Sequence, residues 1–224
     1  MTALDPYAEI ARVLMPSTEE EPIRSYAALG DSFTAGTGCQ PGESWADRLA
    51  TRLADGNPDF AYRNLAFEGA TSADVLGQLG PALQLEPDLV TVVCGANDVL
   101  LSVRPDAHAY SRRLAGIVRR LREALPAIRI VTATAPERWD FLELGPRTRR
   151  RVERGIAHLN AATRTVAEAH EIPCLEVAGH PGLSDEENFV ADGLHPSPLG
   201  HERAAVGFAR LLGLDPSLDP KERP

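Results

Sequence analysis

The chain has 224 residues, of which 43% are hydrophobic and 25% are charged, which is typical of a globular protein. Its formal net charge is −9, which argues against electrostatic binding to nucleic acid or to anionic membranes, because both require clustered Lys and Arg. No run of about 18 apolar residues occurs, so we expect no transmembrane helix and no stable membrane insertion.

The two ends of the chain differ in composition from its middle. Residues 1–22 predict an N-terminal helix followed by an acidic connector, residues 23–213 a single domain, and residues 214–224 a flexible tail. The three cysteines are too few and too scattered for a disulfide framework. With no basic region before the first apolar run, we expect a cytoplasmic protein, and a secreted mature form stays open.

Five short apolar runs predict buried strands, and helical patterns lie between them. The runs are Tyr26–Leu29, Tyr62–Leu65, Leu89–Val93, Ile128–Ala133 and Cys174–Val177. Ser44 and Ser197 stand where two of the helices would be capped. The basic stretch RTRRRVER (residues 147–154) lies on a helical pattern, which favours a solvated helix face. Alternating strands and helices indicate an α/β fold with a mostly parallel sheet covered on both faces.

Polar stretches follow four of the five strands. Functional residues of parallel α/β sheets collect at the carboxyl ends of the strands, so these stretches should share one rim. In chain order they are Gly30-Asp31-Ser32, the stretch NLAFEGATS with Gly69, Gly95-Ala96-Asn97-Asp98, and Asp192-Gly193-Leu194-His195-Pro196.

The last stretch offers a base for a serine nucleophile. Asp192 and His195 are separated by two residues, and on a turn this spacing can bring the carboxylate to His195 Nδ1. A serine hydroxyl is a poor nucleophile without such a base. Taken alone, the pair also fits a turn aspartate and a surface histidine, and Ser32 also fits a turn, a helix cap or a phosphate cradle.

The middle stretches offer hydrogen-bond donors for a developing oxyanion. The Ser32 N–H at a strand-to-helix turn, the Gly69 N–H and the Asn97 amide together would form an oxyanion hole. Taken separately, Gly69 also fits a turn glycine and Asn97 a helix cap.

The four stretches, in this order, resemble the SGNH/GDSL hydrolase superfamily over the chain from about Tyr26 to Leu212. The resemblance implies a flavodoxin-like three-layer α/β/α fold with a five-stranded sheet, and a serine esterase or acylhydrolase without metal or cofactor. It implies that Ser32, Gly69, Asn97 and His195 are the residues that give the superfamily its name, and that Asp192 completes the triad. Phe33 stands where the family pattern has Leu. The sequence also lacks the second glycine of G-x-S-x-G, which disfavours an α/β-hydrolase elbow.

Further residues near the four stretches are candidates for supporting roles. We expect Asp31 and Asp98 to accept hydrogen bonds that hold the rim loops. Apolar loop residues either pack into the core or line a substrate pocket, and both interpretations stay open here. The candidate pocket residues are Phe33, Phe67, Glu68, Trp139 and Phe141.

The leading hypothesis is hydrolysis of a small-molecule acyl ester or thioester. Deacetylation of a sugar or natural product, and acyl transfer, would use the same site, because substrate choice depends on loop shape. A flavodoxin-like module that binds a nucleotide or phosphate is a remote alternative. The chain lacks GxxxxGK[ST] and GxGxxG, and this alternative leaves Asp192 and His195 without a role. Chain length, alcohol, pathway and oligomeric state stay open.

Overall fold

All five predicted strands form, and they pair in parallel into one sheet of order β2-β1-β3-β4-β5. The computed structural model describes residues 22–139 and 141–214. The helix and connector predicted for residues 1–22 and the tail predicted for 214–224 therefore fall almost entirely outside the described residues. The strands are β1 (Ser25–Gly30), β2 (Ala61–Asn64), β3 (Leu89–Val93), β4 (Arg129–Ala133) and β5 (Cys174–Leu175).

Helices follow the strands, as the alternating pattern predicts. Two short 3₁₀ helices, Pro181–Ser184 and Glu186–Asn188, lie between β5 and the last helix. In the described part of the chain, no helix has both the length and the apolar character needed to cross a bilayer. The α-helices are α1 (Ser32–Ala35), α2 (Trp45–Leu53), α3 (Ser72–Leu83), α4 (Ala96–Leu100), α5 (Ala107–Ala124), α6 (Pro146–Ala169) and α7 (Pro198–Leu211).

The sheet has a hydrophobic core on each face. Helices α3, α5 and α6 pack on one face through buried residues such as Leu114 and Ile156. Helices α2 and α7 cover the other face, where the Trp45 and Phe208 rings stack with their centroids 4.2 Å apart. This arrangement confirms the predicted three-layer α/β/α fold. Parallel strands covered on both faces need apolar side chains on both, which explains why these strands appear in the sequence as short apolar runs.

The helix boundaries follow local chemistry. Ser44 caps α2, and Ser44 and Asp47 form a capping box in which each side chain binds the other's backbone N–H. Ser197 caps α7 by accepting from the Gly200 N–H at 3.2 Å, and Pro198 occupies the first helical position.

The basic stretch at the start of α6 lies partly on the solvated face that its composition favours, because Arg147, Arg150 and Arg154 are exposed. Its other two arginines bind carbonyl groups. Arg149 donates to the carbonyl oxygens of Trp139 and Leu142, at 2.7 and 2.9 Å. Arg151 donates to the Val99 carbonyl at 2.8 Å and also to that of Ser102. Both side chains are half-buried and hold the segments that follow β4 and α4. The acceptors of both arginines are backbone carbonyl groups of other segments, and the helical periodicity of the sequence does not reveal such acceptors.

Candidate active site

The turn that carries Ser32 is shaped by its neighbours. A Cβ on Gly30 would lie 2.3 Å from the Val93 carbonyl oxygen, so the end of β1 requires glycine. The Gln78 side chain accepts from the Gly30 N–H and donates to its carbonyl, at 2.9 and 2.8 Å. Asp31 then caps α1 by accepting from the Phe33 N–H at 3.1 Å. Ser32 therefore becomes the first helical residue, only 5% exposed.

The loop before α7 holds the predicted acid and base in contact. Asp192 Oδ2 lies 2.6 Å from His195 Nδ1. The other oxygen, Oδ1, accepts from the N–H groups of Leu194 and His195, at 2.8 and 2.9 Å. Gly193 has φ +67°, and a Cβ there would lie 2.1 Å from the Phe141 carbonyl oxygen. Glycine is therefore required between the acid and the base.

The charge of Asp192 determines which ring nitrogen of His195 carries a proton. Partial burial alone would raise the pKa of the Asp192 carboxyl, but the hydrogen bonds from the His195 side chain and from the two backbone N–H groups outweigh it. The pKa is therefore lower than usual. A carboxylate can only accept, so Nδ1 donates to it, and Nε2 of a neutral ring is left as the acceptor.

The Ser32 turn and the His195 loop lie side by side. The Phe33 and His195 rings have centroids 6.0 Å apart and are tilted by 45°. Among the described residues, no hydrogen bond joins Ser32 Oγ to the imidazole. Catalytic hydrogen bonds are often long in a free enzyme and shorten when substrate binds.

The stretches after β2 and β3 also meet. Asn97 Nδ2 donates to the Ala70 carbonyl at 3.0 Å, which places the Asn97 amide beside Gly69. Gly69 is exposed, with φ +78°. Gly95 precedes Asn97 with φ +118°, and a Cβ there would lie 2.7 Å from the Tyr110 ring. An amide has two N–H donors, so Asn97 keeps one for a further acceptor.

Asp98 joins α4 to the start of α3. Its carboxylate accepts from the Ser72 N–H and hydroxyl, at 2.7 and 2.6 Å, and lies 3.3 Å from Arg113 Nη1. Helix α3 begins directly after the Gly69 loop, so these contacts fix the spacing between that loop and Asn97.

Asp31 is the most deeply buried carboxyl group of the rim, with 2% exposure. Burial raises the pKa of Asp31 to about 7, although the hydrogen bond from the Phe33 N–H lowers it, and the charge of Asp98 adds to the rise. Asp31 therefore titrates near neutral pH.

Comparison with known proteins identifies the family. The family model described as GDSL-like Lipase/Acylhydrolase matches residues 28–203, from within β1 to within α7. The chain belongs to the GDSL-like lipase/acylhydrolase family. All four rim stretches lie inside the matched range.

Individual known proteins resemble the chain over most of its length. Esterase TesA of Pseudomonas aeruginosa (strain PAO1) is 28% identical over 196 residues, which cover 87% of this chain and 89% of the relative. The solved lipase/acylhydrolase from Enterococcus faecalis is 25% identical, with a TM-score of 0.68, over 87% of this chain and 98% of that one. The acetylxylan esterase Axe2 of Geobacillus stearothermophilus shares the fold, at 19% identity and a TM-score of 0.65. The match covers 86% of this chain and 95% of that one.

The structure places the candidate pocket residues of this GDSL protein in different surroundings. Trp139 is 3% exposed and belongs to the core, and its Nε1 has no hydrogen-bond partner among the described residues. Phe141 is half-buried and packs on Phe189, with the ring centroids 5.4 Å apart. Phe67 and Glu68, in the loop after β2, are exposed. Phe33 alone of these five lines the cavity described next.

A cavity that was not predicted from the sequence lies beneath the rim. Its volume is about 190 Å³, and it lies between the carboxyl ends of β3, β4 and β5 and the face of α7. The small residues Gly200, Ala204 and Gly207 on α7 are the signal that could have indicated it, because they share one helix face.

His201, six residues after His195, has a structural place. It is fully buried, and its Nδ1 accepts from the Trp45 N–H at 3.2 Å. Burial lowers the pKa of His201, although a contact with the Thr37 carbonyl opposes the shift. The neutral ring therefore joins α7 to the start of α2.

Proposed function

We propose that this protein is a carboxylic ester hydrolase in which Ser32 is the nucleophile, His195 the general base and Asp192 the group that orients the base. The observation that carries the proposal is the 2.6 Å contact between Asp192 Oδ2 and His195 Nδ1, beside the Ser32 turn of a GDSL family member. Asp192 Oδ1 holds the loop backbone, which leaves Oδ2 for the imidazole.

In the first step, Ser32 Oγ attacks the carbonyl carbon of the ester while His195 Nε2 takes the hydroxyl proton. The ring then carries a positive charge, which the Asp192 carboxylate stabilises through Nδ1–H. The Phe33 ring lies 6.0 Å from the His195 ring, so the residue that follows the nucleophile in sequence is a neighbour of the base, and the catalytic hydrogen bond would form when substrate binds.

The oxyanion formed by this attack needs donors that already point towards it. Ser32 supplies its N–H from the first turn of α1, where no intrahelical acceptor exists. Gly69 supplies a backbone N–H unhindered by a side chain, and Asn97 supplies its second amide hydrogen. Removing one such donor typically lowers kcat by about 10²–10³.

Collapse of the tetrahedral intermediate breaks the bond to the leaving oxygen, and His195 returns the proton to the departing alcohol. Water then attacks the acyl-Ser32 ester with the same base, which releases the carboxylic acid and restores the serine. The balance is ester plus water to acid plus alcohol, and a thioester would follow the same path with a thiol leaving group.

The first test is Ser32→Ala, assayed with p-nitrophenyl acetate and a fluorophosphonate probe. We expect kcat/KM to fall at least about 10³-fold and the label to disappear, because the variant lacks the hydroxyl that the proposed base activates. Ser111→Ala on α5 is the matched control and should keep both signals. Wild-type turnover in Ser32→Ala would refute the proposal.

A substrate panel separates the reactions that one site could catalyse. Acetylated sugars, acyl thioesters and p-nitrophenyl esters should be compared at equal concentration, with and without an alcohol acceptor. Faster turnover of acetylated sugars would indicate a deacetylase. An excess of transferred ester over free acid would indicate an acyltransferase.

A further inference from the structure

The cavity beneath the rim has a largely apolar lining. Its polar side chains are mostly engaged: Thr134 Oγ1 donates to Glu176 at 2.8 Å, and Arg203 pairs with Glu187 at 2.8 Å. Apolar side chains from β4, β5, α2 and α7 form most of the rest. They include Trp45, Ala133, Leu175, Ala204 and Phe208.

The cavity exists because α7 presents small side chains to the ends of the strands. Ala204 leaves space that a larger residue would fill. Gly207 lets α7 approach β5 closely, since a Cβ there would lie 3.3 Å from Leu175 Cδ2. Protein interiors are normally packed without such voids. An apolar void of about 150 Å³ holds a molecule the size of benzene, so a space of about 190 Å³ is large enough for a ligand.

The cavity lies one residue away from the proposed nucleophile and base. Asp31 and Phe33 line it and flank Ser32, and Pro196 lines it and follows His195. The Phe33 ring is shared, because it also lies 6.0 Å from the His195 ring. The residues on both sides of Ser32 and the residue after His195 therefore belong to the cavity wall, which places the cavity next to the proposed nucleophile and base.

The segment that closes the cavity is tied to the loop that carries the base. Asn188 and Phe189 line the cavity, and the Ser197 N–H donates to the Asn188 carbonyl at 2.8 Å. Phe189 pairs with Pro196, and the Val190 N–H donates to the His195 carbonyl at 2.9 Å. A ligand in the cavity would contact the same segment that supports His195.

We propose that this cavity binds a straight alkyl chain of the substrate, of about six to eight carbons by scaling from the cavity that holds benzene. The inference rests on the proposed ester hydrolysis and narrows its substrate class to medium-chain esters. The chain belongs to either the acyl or the alcohol part of the ester, and the experiment has an arm for each.

The expected effect follows from burial of methylene groups. Each methylene that enters the cavity should raise kcat/KM by about fourfold, until the space is full. Hexanoate has four more methylenes than acetate and should therefore exceed it by roughly two hundredfold, and activity should fall beyond about eight carbons.

The experiment compares two ester series in wild type and in Ala204→Leu, which fills the cavity. One series is p-nitrophenyl esters from acetate to decanoate, and the other is alkyl acetates from ethyl to octyl. We expect the ratio of hexyl-chain to two-carbon substrates to fall at least tenfold in one series. Ala157→Leu, on the exposed face of α6, is the matched control and should keep the wild-type ratio.

A second variant tests the same cavity by enlarging it instead of filling it. Phe208→Leu enlarges it, so the preferred chain should lengthen by about one or two carbons. Unchanged ratios in both series for Ala204→Leu, or an unchanged optimum in Phe208→Leu, would overturn the inference.

A binding measurement separates failure of the inference from failure of the proposed function. Trp45 lines the cavity, and Trp139 is the only other tryptophan in the chain. In Trp139→Phe, 8-bromooctanoate should quench Trp45 fluorescence, and Ala204→Leu should weaken binding at least tenfold. Quenching without ester hydrolysis would refute only the proposed function. Hydrolysis without quenching would refute only the cavity assignment.

Discussion

At the scale of single residues, the site depends on how neighbours in sequence divide their roles. Asp31 caps α1, so its carboxyl group is engaged with the Phe33 N–H, and Ser32 becomes the first helical residue. Asp192 uses one oxygen to hold its own loop and the other to hold the His195 ring. The two carboxyl groups have pKa values shifted in opposite directions, because one is desolvated and the other accepts several hydrogen bonds.

Replacing Asp192 should reduce catalysis without abolishing it. Asp192→Asn removes the charge that stabilises the imidazolium and favours the wrong tautomer, so we expect kcat to fall by about 10²–10⁴. The loss should be smaller than in Ser32→Ala, and Asp185→Asn should be neutral. Wild-type kcat in Asp192→Asn, measured with p-nitrophenyl acetate, would show that another group orients His195.

Replacing Asp31 should change how stability depends on pH. The native state holds the Asp31 proton up to about pH 7, whereas an unfolded aspartate releases it near pH 4, so this group destabilises the fold as the pH rises through that window. Asp31→Asn removes the effect and keeps an acceptor for the Phe33 N–H.

Urea unfolding at pH 4.5 and pH 8 measures this effect directly. The difference in free energy of unfolding between Asp31→Asn and wild type should be larger at pH 8 than at pH 4.5. The increase should be on the order of a few kcal/mol in favour of the variant. The contribution of Asp192, whose pKa shift has the opposite sign, is present in both proteins and cancels. If the difference in free energy of unfolding between variant and wild type is the same at both pH values, Asp31 ionises freely in the native state.

At the scale of elements, glycines show where the backbone of one element approaches another. Gly30 at the end of β1 faces the Val93 carbonyl, whereas Gly116 within α5 would place a Cβ in open space. The same residue type is therefore required at one position and costly at the other, because glycine weakens a helix interior.

The two glycines form a matched pair of substitutions. Gly30→Ala should lower the free energy of unfolding by at least about 2 kcal/mol, since β1 and β3 must separate to accept the methyl group. Gly116→Ala should raise it by about 0.5–1 kcal/mol. Urea denaturation of both variants checks the signs, and a destabilised Gly116→Ala would contradict the open space seen at that position.

At the scale of the whole molecule, helices on one face of the sheet support the loops at its rim. His201 of α7 accepts from the Trp45 N–H of α2, and its Nε2 faces the Thr37 carbonyl at 3.5 Å, in the loop that follows the Ser32 helix. The ring is fully buried, so its nitrogen atoms cannot exchange these partners for water.

Replacing His201 with an apolar residue should destabilise the protein, because a buried N–H donor then lacks an acceptor. His201→Leu leaves the Trp45 N–H without an acceptor, so we expect a loss of about 1–3 kcal/mol in the free energy of unfolding. His201→Asn keeps an acceptor near the same place, so its free energy of unfolding should fall by less. Faster amide exchange at Trp45 in the leucine variant would locate the effect, and equal stability of the two variants would argue against it.

Local chemistry in the sequence was enough to predict the five strands, the caps at Ser44 and Ser197 and the four polar stretches at the rim. Apolar periodicity and capping depend on residues close in sequence, and parallel strands bring their carboxyl ends to one edge. The Asp192–His195 contact was predictable for the same reason, because the two residues share one turn.

Contacts and spaces between distant elements were decided only by the tertiary structure. It placed Trp139 in the core, gave Arg149 and Arg151 carbonyl partners and left a cavity beneath Phe33. Each of these depends on space and unpaired groups left by segments far apart in the chain. The sequence by itself determined which chemical groups meet at the rim, and packing determined the space available beside them, because a cavity is what several elements together fail to fill.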